Sequence, residues 1–221
     1  MNIAVIVVKT DSNYPIYLYV MAGVNTHEYL LQGSILDSAH PLLVQRLKGL
    51  TDPKSEAFNE QELVFALKGG TGAPVMIHVR RSLDESGAPY HLRYVGNPEP
   101  DPNRQCPTLV RKAVDTLVKS DDLMDFLREM GFRLQYEFVA KGEIYTKGPL
   151  KIVISKIFHV KVAGNAASSE PFTESRLVEL SVLAPSVQDA AVSKSIRDFA
   201  DQLKPIVQLE KIDYSQLLLN G

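Results

Sequence analysis

At 221 residues, 45% of them hydrophobic and 23% charged, the chain carries enough apolar surface to offset the entropy of ordering. Wholesale disorder is therefore excluded, and one large domain or two small ones fit the length. With 24 basic and 26 acidic side chains the formal charge is -2, too little for bulk attraction to nucleic acid. The single cysteine, Cys106, excludes an intrachain disulfide and fits a reducing compartment.

In chain order, the first apolar runs are Ile3 to Val8 and Ile16 to Val24. The first is too short for a signal-peptide core and lacks a basic start, and the second falls well short of a bilayer span, so the chain reads as soluble. Glu28 to Gly33 has strand character. Ser38-Ala39-His40-Pro41 then opens a short amphipathic helix with Leu43, Leu47 and Leu50 on one face. Glu62 to Lys68 and Val75 to Arg81 read as strands around the turn Gly69-Gly70-Thr71-Gly72. Tyr90 to Val95 is a further strand. Residues 96–107, with prolines at 98, 100, 102 and 107, form an exposed loop. Thr108 to Val118 tilts toward strand. Ser120 or Asp121 caps a helix whose apolar stripe is Leu123, Phe126, Leu127 and Met130, with Gly131 just past its end. Phe132 to Ala140 and Leu150 to Val162 are long strands, the second apolar on both faces. Arg176 to Ala184 is the last strand. A helix from about Val187 carries Val192, Ile196, Phe199 and Leu203 and ends near Pro205.

About seven or eight mostly antiparallel strands with three outlying helices make an α+β fold. Strands in this number close into a barrel or a sandwich, because free edges invite unwanted pairing.

Catalytic motifs are sparse. The Gly69 to Gly72 cluster lacks the Lys-Ser/Thr of a phosphate loop and reads as a hairpin turn. Cys106 lies in a proline-rich loop with no helix N-terminus to activate it. The histidines 27, 40, 78, 91 and 159 are scattered. His78 and His91 could approach each other on adjacent strands, but no further zinc ligands suggest themselves. A barrel could hold a divalent cation on Glu-x-Glu pairs, since residues i and i+2 face the same lumen. A basic row from Arg80, Arg93, Arg133, Lys141, Lys151 and Lys156 could hold phosphate beside it. The carboxylates do not cooperate: Glu28 is followed by Leu30 and Gln32, and Glu179 by Ser181. Glu60 and Glu62, at a strand entrance, read as solvated surface charges. Arg133, Tyr136 and Phe138 interleave as in RNA binders, but the acidic neighbour and neutral total favour core and rim positions.

Several stretches also resemble a known family. They are Glu28-Tyr-Leu-Leu-Gln-Gly-Ser34, Arg46-Leu-Lys-Gly-Leu50, His91-Leu-Arg-Tyr-Val-Gly96, Phe126-Leu-Arg-Glu-Met-Gly-Phe-Arg133 and Tyr136-Glu-Phe-Val-Ala-Lys-Gly142. The likeness continues through Lys151-Ile, Lys156-Ile-Phe158, Leu177-Val-Glu-Leu-Ser181, Phe199-Ala-x-Gln-Leu-Lys-Pro205 and Leu209-Glu-Lys-Ile-Asp213. Together, over roughly residues 28–213, they resemble the Mediator complex subunit 18 family.

The resemblance implies a nuclear, non-catalytic subunit of the Mediator head module, which serves as a coactivator of RNA polymerase II transcription. It implies an eight-stranded barrel with flanking helices, similar to the triphosphatase-tunnel barrel. It also implies pairing with Mediator subunit 20 and receipt of a C-terminal helical segment of Mediator subunit 8. Other head-module subunits and, indirectly, the polymerase machinery are further expected partners. Neither membrane nor sequence-specific DNA binding is expected, and no cofactor, metal or catalytic residue. Residues 1–26 are expected to be a variable N-terminal extension and residues 27–221 a single barrel domain. Tyr17, Tyr19, Leu217, Leu218 and Leu219 are apolar candidates for docking a partner or packing on their own barrel. An assembly subunit should have a closed lumen filled by side chains and an exposed apolar surface. The alternative, a metal-dependent tunnel phosphohydrolase, should have an open lumen with clustered acidic and basic residues.

Overall fold

The computed structural model describes residues 3–8, 16–21, 27–69, 74–101 and 106–212, the first two stretches as backbone alone. β1 (Ile3–Val8) and β2 (Ile16–Met21) form an antiparallel hairpin. The barrel strands follow: β3 (His27–Leu36), β4 (Glu56–Leu67), β5 (Val75–Ser82), β6 (Tyr90–Pro98), β7 (Leu109–Lys119), β8 (Arg133–Lys147) and β9 (Leu150–Val160). After the short β10 (Ser169–Pro171) comes the last barrel strand, β11 (Ser175–Ala184).

Every pairing is antiparallel, and the order β7–β3–β11–β9–β8–β4–β5–β6 returns to β7 and closes an eight-stranded barrel. Closure removes the free edges that an open sheet would expose. Two strands outrun their partners and are covered by short ones. β3 pairs with Leu109 to Lys112 of β7, and β2 takes over at Thr116 to Lys119. On β9, β11 pairs with Lys151 to Ser155 and β10 with Phe158 to Val160.

The main core lies outside the barrel, between its wall and two helices. Leu43 and Leu47 of α1 (His40–Lys48) are fully buried. A further helix, α2 (Leu123–Glu129), precedes β8, and α3 (Ala190–Gln202) follows β11. Ile196 and Phe199 of α3 join α1 on a wall of Tyr29, Leu31, Ile152, Ile154, Val178 and Leu180. On another part of the wall, Leu123 and Leu127 of α2 pack with Phe65, Val79 and Val118. The segment after α3 straps back across β3, where Gln32 and Glu210 exchange both backbone hydrogen bonds.

Several boundaries differ from the expected ones. β4 begins at Glu56, not Glu62. β8 runs to Lys147, because Gly142 does not interrupt the strand but pairs with Phe58 on one side and Ser155 on the other. A Cβ on Gly142 would overlap the Ile154 carbonyl oxygen, so glycine there permits close backbone approach. The last helix starts at Ala190 rather than near Val187, since the Asp189 carboxylate caps the amides of Ala191 and Val192. α1 has no side-chain cap and instead follows a 3-10 turn at Asp37–Ala39. Among the described residues no helix is long and apolar enough to cross a membrane.

Candidate functional site

Since the helices cover one face of the strands, residues of the opposite parity line the lumen. Register places Glu28 beside Arg111, Arg93 beside Asp115, and Arg80 between Glu62 and His91. Gln32 stands opposite Glu179, and Ser181 opposite Lys151. The interior of the barrel is thus lined with acids and bases.

These groups answer one another. Glu28, only 5% exposed, accepts from Arg93 at 2.5 Å and from Arg111 at 2.9 Å. Burial alone would push its carboxyl up, but the two guanidinium charges outweigh that and hold it below its ordinary value. Glu62 takes Arg80 Nε at 2.7 Å on one oxygen and shares the other with His78 Nδ1 at 2.5 Å. Burial works against its ionised form, yet the His78 hydrogen bond and the Arg80 charge bring it down to about 2. Asp115 meets His91 Nε2 at 2.8 Å and Arg93 at 3.7 Å, and the same balance lowers its carboxyl. Glu179 accepts from Gln32 Nε2 at 2.8 Å. At one mouth, desolvation lowers the Lys151 ammonium, helped by the charges of Arg93 and Arg80.

Clustered acids and bases were expected of the hydrolase alternative, and the lumen does contain them. Their geometry is self-compensating: the carboxylates of Glu28, Glu62, Asp115 and Glu179 each have a partner in the protein. Among the described residues no three His, Cys, Asp or Glu side chains gather into a group able to hold a metal.

Glu62 corrects the expectation of a solvated surface charge. It is 6% exposed and faces the lumen, because β4 starts upstream of the expected entrance. Of the expected basic row, Arg80, Arg93 and Lys151 share the lumen with Arg111, which went unnoticed. Only the register of β7 against β3, which sets Arg111 opposite Glu28, places it there. Lys156 instead binds Asp37 on the outer wall, Lys141 lies over the Phe158 ring, and Arg133 donates to the carbonyls of Arg128 and Phe132. His78 and His91 each serve a separate carboxylate rather than a shared ion.

Tyr136 and Phe138 stack with ring centroids 6.4 Å apart. Cys106 contacts the hydroxyls of Thr108 and Ser193 at 3.4 and 3.6 Å. Burial raises the thiol, but the Thr108 and Ser193 hydrogen bonds outweigh it, so the loop does lower its pKa without a helix N-terminus. Tyr17 and Tyr19 lie on β2, in register with Lys119 and Leu117. Leu217, Leu218 and Leu219 fall outside the described residues, as do 70–73 of the expected glycine turn, though β4 and β5 on either side do pair. The outer surface carries exposed apolar side chains, among them Leu36, Leu42, Met130, Leu134, Val162 and Phe172.

Fold and interior together define a class: a closed antiparallel barrel, jacketed by helices, whose buried charges are neutralised internally. The sequence model described as Med18 protein matches residues 27–217, and the chain belongs to that family. It is 51% identical over 197 residues to "Mediator of RNA polymerase II transcription subunit 18" of Danio rerio, covering 88% of this chain and 93% of the relative. Identity to the protein of the same name in Drosophila melanogaster is 47% over 196 residues, covering 86% and 88%. Among solved structures, a chain of the Schizosaccharomyces pombe Mediator head module superimposes with a TM-score of 0.70 at 13% identity, over 84% of this chain and 98% of that one. A Pyrococcus horikoshii protein shares the fold at a TM-score of 0.56 and 14% identity, over 87% and 98%.

Proposed function

We propose that this chain is a structural subunit of the Mediator head module that catalyses nothing and works by holding other proteins. In that role it contributes to coactivation of RNA polymerase II transcription in the nucleus. The observation that carries the reading is the lumen. A hydrolase needs carboxylates free to bind a metal ion and cations free to bind phosphate, whereas Glu28 and Glu62 are each engaged by two basic side chains. A barrel stiffened by internal ion pairs suits a platform.

Two partners follow from the family: Mediator subunit 20, barrel against barrel, and a C-terminal helix of Mediator subunit 8 laid into an apolar groove. Stable pairing of the first kind buries on the order of 1,200–2,000 Å² in total. Light scattering after size exclusion, on this chain mixed with both partners, tests the reading. A stoichiometric ternary complex is the expected result. A chain that stays alone at micromolar concentration overturns it.

The basic cluster of Arg80, Arg93, Arg111 and Lys151 is the observation that favours the alternative of a metal-dependent tunnel phosphohydrolase. Phosphate release from inorganic triphosphate with magnesium or manganese would establish that activity, and a flat time course disposes of it.

A further inference from the structure

Outside the barrel, where β4, β8 and β9 meet the start of α1, lies a groove of about 430 Å³. Phe58 and Phe158 supply its apolar wall, and Lys141, Lys156 and Arg176 line it as cations against the single lining carboxylate, Glu143. Asp37 pairs with both Lys156 and Arg176. Among the described residues Lys141 meets no carboxylate: its ammonium lies 5.1 Å from the centre of the Phe158 ring. Of the lining cations, Lys156 and Arg176 are thus neutralised by Asp37, and Lys141 is the charge left to meet an anion.

A second, independent observation falls at the same place. Among the described residues, the buried side-chain polar atoms lacking a hydrogen bond are His40 Nε2 and Asn59 Oδ1, and both residues line this groove. His40 Nε2 is 3.8 Å from Glu143 Oε2, beyond hydrogen-bond reach, and that oxygen already accepts from Tyr145 at 2.6 Å. The Asn59 amide donates from Nδ2 to Asp84, which leaves its oxygen as an unanswered acceptor. Buried groups of this kind are nearly always satisfied, so the groove holds two polar atoms for which the protein itself supplies no partner. Both residues are partly exposed and line the groove.

The geometry points to an acidic peptide segment of a partner protein as the occupant of this groove, its carboxylate on Lys141 and His40 and a backbone N–H on Asn59 Oδ1. A peptide fits better than a free anion because the site asks for three things at once: a negative charge, an N–H donor and an apolar side chain against Phe58 and Phe158. This inference rests on the reading of the chain as a protein-holding subunit and adds to it one contact surface and the chemistry of its partner.

The test is a titration of the isotopically labelled full chain, followed by NMR, with the tetrapeptide acetyl-Asp-Leu-Glu-Leu-amide and its neutral counterpart acetyl-Asn-Leu-Gln-Leu-amide. Saturable shifts centred on His40, Asn59 and Lys141 are expected with the acidic peptide. The neutral one should bind about tenfold more weakly, the loss of one charge-assisted contact. Lys141→Glu, at an exposed position, should abolish the preference for the acidic peptide. Leu134→Ser, near the other end of β8, should leave it intact. Shifts that fail to saturate, that spread over the surface, or that ignore both peptide charge and Lys141→Glu overturn the inference. Co-assembly with the Mediator partners is scored separately. A chain that assembles but gives no groove shifts overturns this inference alone. One that binds the peptide in the groove but does not assemble upholds the groove and overturns the proposed function.

Discussion

Arg93 Nη2 donates to Glu28 Oε1 at 2.5 Å although β6 and β3 do not pair with each other; β7 runs between them. Arg111, on β7 itself, takes the other Glu28 oxygen. One buried carboxylate therefore ties three consecutive strands from inside the barrel. Replacing it with an amide of equal size leaves two guanidinium groups short of their counter-charge. Breaking a buried pair by removing one partner costs about 3–5 kcal/mol, so Glu28→Gln should lose that much stability in urea denaturation. A loss under about 1 kcal/mol, the range of exposed pairs, would show the lumen to be solvated like an outer surface.

Acid should attack the same interior. The Glu62 carboxyl sits at about 2 in the folded chain against an ordinary 4.5. A folded-state value below the unfolded one means that this stability is fully present above about pH 4.5 and is lost as pH falls toward 2. A shift of that size corresponds to a contribution on the order of 3 kcal/mol. Glu28 and Asp115 are shifted in the same direction and add to the slope. Denaturation midpoints between pH 7 and pH 3 should fall steeply for the native chain. Glu62→Gln should be less stable at neutral pH and show a shallower fall; equal slopes would remove Glu62 from the account.

Two glycines mark places where backbones meet without room for a methyl group. A Cβ at Gly142 would overlap the Ile154 carbonyl oxygen, and one at Gly33 would overlap that of Gln208. Gly142→Ala must therefore push β9 away from β8, whereas Gly33→Ala must lift the strap that Glu210 anchors to Gln32. Overpacking of this kind costs about 1–3 kcal/mol. The two should differ in character: limited proteolysis after residue 203 should accelerate in Gly33→Ala but not in Gly142→Ala. Equal protection of the strap in both would mean that β3 yields instead.

Helices and strands were legible wherever apolar spacing was regular, as with Leu43 and Leu47 on α1 or Ile196 and Phe199 on α3, because these pack on a single wall. The lumen was harder to read. Glu62 sits in a strand whose first residues, Glu56 to Gln61, carry Phe58 as their one large apolar side chain, so no alternation showed that the strand had already begun. Arg111 and Asp115 belong to a segment ambiguous between helix and strand, and their inward direction depends on partners far away in the chain. Pairing across 65 or 83 residues, as between Glu28 and Arg93 or Arg111, is a property of closure and leaves no local trace. The groove was invisible for the same reason, since His40, Asn59, Lys141 and Phe158 meet only once β4, β8 and β9 lie side by side.

The junction of β3 with α3 offers a test of how a buried phenol holds a helix start. Tyr29 is fully buried, donates its hydroxyl hydrogen to the Ser186 carbonyl at 2.7 Å and accepts the Asp189 amide at 2.8 Å. Asp189 in turn caps α3 with its side chain. Tyr29→Phe keeps the ring but strands one acceptor and one donor, which should cost about 1–3 kcal/mol. Asp189→Ala removes the cap at a cost of about 0.5–2 kcal/mol. The phenol holds the backbone of the very residue whose side chain does the capping, so either change should loosen the helix start and weaken the effect of the other. In a double-mutant cycle read by urea denaturation, the combined loss should fall short of the sum by about 0.5 kcal/mol or more. Strict additivity would show that the Tyr29 hydroxyl anchors the loop at Ser186 without helping to position the cap.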